Sequence, residues 1–296
     1  MRLIIPPDIG GDRLNISKKI GFIGAGKVGF SLGRYLVENH EGVMGYYSKN
    51  PDSAKEAAEF TDTIVYKEVE HIVEDCDILF LTVPDGIITK VWEEMKLLSI
   101  EGKIICHCSG SYASTIFSEI SQCKAFGYSI HPLFAIHSKR NSYKELSQAL
   151  FTIEGSSTYL NYFEQMFQRL GNQVQIIQAH DKAKYHAAAV FMSNFVVALA
   201  SCGQNLLQQC GFEKEQALSA LAPLMKNNVE HIIENGVISS LTGPVERNDV
   251  ETIRKHLQVL EGEEKEIYKR LSTILIKVGM EKNAQLNYEE MENELA

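Results

Sequence analysis

Short apolar runs alternate with amphipathic stretches through the first half of the chain. The runs Ile20–Ile23, Val43–Tyr47, 77–83, 103–108 and 126–130 have the length and side-chain character of strands. Ile78-Leu79-Phe80-Leu81 is apolar at consecutive positions, as expected of a parallel strand covered by helices on both faces. Between these runs, 28–39, 51–60 and 87–98 read as helices. Strands and helices alternating at this spacing predict an α/β class with a doubly wound parallel sheet, which 150–154 and 174–178 would extend. After Gln178 the pattern is helical, interrupted at Gly203, Gly211, Pro223, Gly236 and the turn Leu241-Thr242-Gly243-Pro244. Asp249 is placed to cap one helix, and an amphipathic helix over 264–278 follows. The expected organisation is an α/β domain over 1–178, with 1–18 as an N-terminal extension, and an all-α C-terminal domain over 179–296.

Composition narrows the function classes. The 296 residues are 45% hydrophobic and 23% charged, the balance of an ordinary globular chain, and long enough for two domains. The formal charge of −9, with no basic stripe, would be repelled by a phosphate backbone, so nucleic acid is not an expected partner. The first residues carry only Leu3, Ile4 and Ile5 before two prolines, too few for an export signal. No run is expected to reach the roughly 18 apolar residues of a membrane span. The six cysteines show no C-x-x-C spacing and read as reduced thiols. A cytoplasmic protein, outside the membrane, is the expectation.

The sharpest motif follows the first strand. Gly24-Ala25-Gly26-Lys27-Val28-Gly29 sits between a strand and a helix, where a dinucleotide fingerprint belongs. Gly24 would make the tight turn, Gly26 would admit the pyrophosphate, and Gly29 would let the helix pack closely. The anion would rest on the N–H groups of the helix start. The second strand ends in Ser48-Lys49-Asn50, where a chain selecting NAD carries a carboxylate; a hydroxyl, an ammonium and an amide suit a 2′-phosphate and favour NADP(H). Val83, Pro84 and Asp85 close the predicted strand over 77–83 at the same edge and are expected to touch the cofactor.

Two further groups carry candidate chemistry. Cys106-His107-Cys108-Ser109-Gly110 ends another strand; alternation puts both cysteines on one face and His107 on the other, so no metal site is expected there. Ser109 and Gly110 are suited to cradle a carboxylate, and His131 ends the next strand beside Pro132. In the helical half, about 100° per residue brings Lys182, His186 and Ser193 onto one stripe, with Lys184 nearly opposite. Phe195, Val196, Val197 and Leu199 make this the most apolar helix of the chain, hence an expected central one, and a Lys and a His on such a helix are candidates for proton transfer. Asn194, Thr242 and Arg247 complete the expected substrate contacts; Arg247 equally reads as a surface residue beside a capped turn.

Taken together, GFIGAGKVG, TVPD, HCSGS, IHPL, YHAAAVFMSN and LTGPVERND resemble Rossmann-like proteins whose C-terminal half is a domain of unknown function. The layout is similar to pyrroline-5-carboxylate reductase, 3-hydroxyacid dehydrogenases and ketopantoate reductase, where a helical domain carries the general acid, often a lysine with an amide four residues later. Lys182 matches that lysine, and His186 stands where the amide would be, leaving the acid open between the two. The resemblance implies an NADPH-dependent reductase of a small 2-oxo acid, with ketopantoate, on the way to pantothenate, as the specific substrate. It also implies a homodimer formed through the helical domain, for which 213–235 and 249–278 carry the apolar positions. A reductase of an imine or a 3-oxo acid, and a non-catalytic NADP(H)-binding sensor, are the competing readings.

Overall fold

The computed structural model describes residues 18–296, so all of the expected N-terminal extension but Lys18 lies outside the described residues. The chain forms two compact units, one ending at Ser193 and the other running from Asn194 to Ala296. In chain order the first holds β1 (Ile20–Ile23), α1 (Lys27–Glu38), β2 (Val43–Tyr47), α2 (Pro51–Thr61), β3 (Ile64–Val65), α3 (Val69–Asp75) and β4 (Ile78–Leu81). It continues with α4 (Asp85–Met95), β5 (Ile104–His107), β6 (Phe126–Leu133), β7 (Leu150–Gly155), α5 (Leu160–Arg169), β8 (Gln173–Ile176) and α6 (Lys182–Phe191).

The eight strands make one sheet in the order β3-β2-β1-β4-β5-β6-β7-β8. Both late runs, 150–154 and 174–178, do extend it. The sheet is not wholly parallel, however: β7 runs antiparallel to β6, and β8 is parallel to β7. The connection between β6 and β7 contains only a 3-10 turn (Ser142–Gln148) and no α-helical crossover, so the chain returns alongside the strand it left. β6 also continues past Ile130 to Leu133, with Pro132 opposite Phe151. Pairing with β5 stops at Ser129, so Pro132 lies where β6 has a neighbour on one side only, a place that tolerates a residue without an N–H.

Each face of the sheet carries its own core. Phe22, Tyr46, Phe80, Cys106, Tyr128 and Phe151 pack under α1, α2 and α5 on one side. Ile23, Leu79, Leu81 and Ile105 pack with Trp92, Met95 and Phe117 on the other. Strand alternation separates Cys106 from His107 accordingly. This two-sided burial explains why β4 is apolar at every position.

The second unit is helical: α7 (Asn194–Gln209), α8 (Lys214–Ser240), α9 (Val250–Val259), α10 (Gly262–Lys282) and α11 (Glu289–Leu295). Asp249 caps α9, its carboxylate accepting from the Thr252 N–H at 3.1 Å. Val245, Ile253, Ile276, Tyr288, Met291 and Leu295 close a small core among the last three helices. α7 and α8 are different, since between them only Ala217 is buried. The sequence had placed the apolar 182–199 stretch at the centre of the molecule; within the single chain Phe195, Val197 and Leu199 are instead exposed. By length and composition alone Ala179–Gln209 is apolar enough to cross a membrane, with a best 18-residue mean hydropathy of 1.5, contrary to the expectation that no run would qualify. One such stretch does not by itself establish a span.

Candidate active site

The turn from β1 into α1 has the shape the fingerprint requires. Gly24 sits at φ +105, and a side chain there would meet the Thr82 backbone at 2.8 Å. A Cβ at Gly29 would run into the Thr82 hydroxyl, which itself donates to Gly24 O at 2.7 Å. These two glycines let α1 lie against the end of β4. Gly26 is the N-cap, with no side chain capping the helix. The Phe30 N–H closes the first turn on Gly26 O at 2.9 Å, so the N–H groups of Lys27, Val28 and Gly29 have no partner within the helix. Gly26 and Lys27 are exposed, and an anion can approach there.

A cavity of about 350 Å³ opens from this turn. Of the expected cofactor residues, Gly24, Ala25, Gly26, Ser48, Lys49, Val83 and Pro84 line it, together with Tyr47, Ser53, Thr82, Glu94 and Lys139. Its fit to a dinucleotide rests on the glycine cradle at one end and the hydroxyl and ammonium groups of Ser48 and Lys49 at the end of β2. Asn50 and Asp85, also expected at the cofactor, are not among the lining residues. Asn50 is the N-cap of α2, its side-chain oxygen accepting from the Asp52 N–H at 3.1 Å. Asp85 opens α4 and accepts from the Ser109 hydroxyl at 2.7 Å and from Ser111 at 3.3 Å.

Ser109 is a junction. Its hydroxyl donates to Asp85 and accepts from the N–H groups of Ser111 and Tyr112, and its own N–H donates to His107 Nδ1 at 3.2 Å. The expected cradling of a substrate carboxylate by Ser109 therefore finds both its donors already engaged. With Nδ1 accepting, His107 must carry its proton on Nε2, which donates to Ala113 O at 3.2 Å. Burial pushes His107 down to about 4, so it stays neutral.

The remaining junction partner is Lys182. Its side chain is 1% exposed, and Nζ donates to Ser109 O at 3.0 Å. Burial lowers it to about 8, against the field of Glu154, Cys108 and Asp85, which favours the charged form. Glu154 is itself a buried carboxylate on β7, held by the Ser114 N–H and hydroxyl at 2.6 and 2.7 Å.

One turn along α6 the second half of the cluster appears. A Cβ at Gly110 would fall 2.5 Å from His186 Cδ2 and 3.0 Å from His131 Nε2, so Gly110 lies between the two imidazoles. His131 Nδ1 shares a hydrogen bond of 2.8 Å with Tyr185 OH, and Lys182 Nζ lies 5.5 Å from the Tyr185 ring centre. Burial, with the nearby Lys182 charge, takes His131 to about 3. Lys182, Tyr185 and His186 thus come together with Ser109, Gly110 and His131, while Lys184 is exposed, as the helical phase predicted.

The rest of the predicted stripe does not continue. α6 ends at Phe191, and Met192 and Ser193 form a turn before α7, so a constant 100° step does not carry through to Ser193. Ser193 instead donates to Ala189 O at 2.7 Å. Asn194, Thr242 and Arg247 belong to the second unit, where Thr242 and Arg247 are exposed on the turn before α9. Sequence reasoning missed Tyr185, Glu154 and the role of His107. Tyr185 had a signal, since i+3 from Lys182 is the same face; so had Glu154, an acid inside the apolar run Leu150-Phe151-Thr152-Ile153.

Residues 19–111 match the family described as NADP oxidoreductase, coenzyme F420-dependent, and residues 149–274 match DUF2520, a domain of unknown function that here begins within the sheet. The candidate 6-phosphogluconate dehydrogenase YqeC of Bacillus subtilis is 29% identical over 119 residues, a match spanning 40% of this chain and 39% of that protein. Among solved structures, protein TM1727 of Thermotoga maritima is 27% identical, with a TM-score of 0.70 over 89% of this chain and 99% of that one. A pyrroline-5-carboxylate reductase from Coxiella burnetii shares the fold at 14% identity, with a TM-score of 0.57 over 90% of this chain and 95% of its own. The chain thus carries a stretch similar to the NADP-oxidoreductase Rossmann domain, followed by one similar to DUF2520.

Proposed function

We propose that the chain uses NADPH to reduce the carbonyl of a small 2-oxo acid, ketopantoate being the first to test, and that Lys182 supplies the proton. The observation that carries this reading is the meeting of Lys182, His131, Tyr185 and His186 around Ser109–Gly110, at the end of β5, which only β4 separates from β1 and its glycine turn at the dinucleotide cavity. In open α/β sheets, ligands bind outside the carboxyl ends of the strands. NADPH, when bound, supplies the hydride.

What the protein adds is orientation and a proton. Ser109 O takes one N–H of the Lys182 ammonium and fixes its position, leaving two for a substrate oxygen. At about 8 the ammonium is charged at neutral pH yet acidic enough to release a proton to a developing alkoxide. The neutral amine keeps an N–H for Ser109 afterwards. His131, held neutral and tied to Tyr185, is a fixed polar neighbour that does not compete for that proton. His186, half-buried against Gly110, stands beside Lys182 and is the alternative donor. The chain works as a homodimer in this reading, which the open apolar faces of α7 and α8 support.

A second reading, reduction of an imine, draws support from the similarity to pyrroline-5-carboxylate reductase. Proton demand separates the two. A carbonyl needs an acid as the hydride arrives; a protonated imine already carries its proton. NADPH consumption should be followed with ketopantoate, other 2-oxo acids, 3-oxo acids and a cyclic imine. Turnover of ketopantoate or another 2-oxo acid, crippled by Lys182→Ala, supports the first reading. Turnover of the imine alone, with little loss in Lys182→Ala, replaces it with the second. NADPH binding without turnover of any substrate identifies a cofactor-binding sensor.

A further inference from the structure

Lys139 lines the dinucleotide cavity although it lies about ninety residues from the β2 end, in the connection between β6 and β7. Three contacts fix its position. The Ser31 hydroxyl, on the first turns of α1, lies 3.3 Å from Ser138 O and 3.2 Å from Lys139 O and ties the connection to that helix. The ammonium stands 5.5 Å from the centre of the Phe30 ring, one residue past the last fingerprint glycine. It also pairs at 3.1 Å with Glu56 Oε2 on α2, one turn after Ser53, another lining residue. Lys139 therefore lies between the anion-binding start of α1 and the first turns of α2, beside the Ser48-Lys49 corner.

We propose that Lys139, together with Lys49, recognises the 2′-phosphate and gives the site its preference for NADPH over NADH. The inference rests on the NADP(H) reading of the cavity and names the residue that makes the selection. Each lysine pairs with a carboxylate, Lys139 with Glu56 and Lys49 with Glu94 at 3.5 Å. Glu56 has a second cation, Arg140 at 3.0 Å, so Lys139 can turn from it to a phosphate without leaving a carboxylate alone. Asn50, which the β2-end motif singled out, is held as a helix cap. The phosphate is thus read from across the cavity by a residue no motif near β2 contains.

The test is direct titration of NADPH and NADH into the full-length protein, read by nicotinamide fluorescence. Lys139→Ala should weaken NADPH by about tenfold, the lower end for a charge-assisted contact because the side chain is partly exposed, and leave NADH within about twofold. Lys139→Glu should weaken NADPH further and again spare NADH, which shows that the site is still folded. Glu56→Gln should tighten NADPH. An unchanged NADPH-to-NADH ratio in both Lys139 variants, or equal loss of the two nucleotides, overturns the assignment of Lys139 while the cofactor reading stands. A native protein that binds neither nucleotide overturns that reading itself.

Discussion

The two units bury their apolar residues very differently. In the sheet unit Trp92, Tyr46, Tyr128, Phe22 and Phe80 are fully buried, and each face of the sheet has its own core. In the helical unit α9–α11 close a small core, but Leu224, Ile233 and Val237 on α8 are 62%, 78% and 61% exposed. A parallel sheet can bury its strands only by covering both faces, so its unit is complete in one chain. A pair of long helices can leave an apolar stripe open until another surface covers it. The difference teaches that the sheet unit's stability is a property of the single chain. For the helical unit, our proposal is that a second copy covers the open faces of α7 and α8 and adds to its stability.

The largest expected effect breaks this comparison most plainly. Trp92→Ala removes a fully buried side chain and should cost about 3–5 kcal/mol by thermal or denaturant unfolding, whatever the protein concentration. Ile233→Asp with Val237→Asp should instead dissociate the assembly, read by sedimentation, and make the melting temperature concentration-independent. A native chain that sediments as a monomer at micromolar concentration removes the homodimer from the account.

A pH experiment sharpens the sheet side. His107 and His131 have folded values of about 4 and 3, below the roughly 6.5 of the unfolded chain. As pH falls below about 6.5 the unfolded state takes up protons that the folded state refuses, so their contribution is complete above that value and is lost toward pH 4 and 3. The melting temperature should fall between pH 7 and 5, and His107→Gln should flatten that fall. An equal slope in native protein and variant would contradict the buried, neutral His107. The smallest effect concerns Asn50: its replacement by alanine should cost about 1 kcal/mol as a lost cap and leave the preference for NADPH unchanged. A shift in preference would restore Asn50 as a phosphate contact.

Legibility in the sequence followed the range of the interactions. β1, β2 and β4 could be read because burial on both faces writes itself as consecutive apolar residues, and the glycine turn because its three glycines fall at a fixed short spacing right after β1. The shared face of Lys182 and His186 followed from helical geometry over one turn. The phase failed at Ser193 because α6 ends at Phe191, and a helical period does not encode where a helix stops. The antiparallel return of β7 was hidden since an apolar run of that length does not state its direction. Asp85 on Ser109, Glu154 on Ser114 and Lys139 in the cavity wall join residues 24 or more positions apart, and nothing in a single sequence pairs them.

The central claim is that Lys182, fixed by Ser109 O, is the proton donor of an NADPH-dependent carbonyl reduction. Its most direct test is the pH dependence of kcat for NADPH oxidation with the best 2-oxo acid, in native protein, Lys182→Ala and Lys184→Ala. Native activity should decline as pH rises through about 8, where the ammonium loses its proton. Lys182→Ala should lower kcat by roughly 10²–10⁴ and abolish that decline, with NADPH affinity nearly unchanged, while Lys184→Ala should match the native profile. Full activity and an intact alkaline decline in Lys182→Ala would contradict the claim and leave Lys182 as the anchor of the Ser109 turn, with the proton coming from elsewhere.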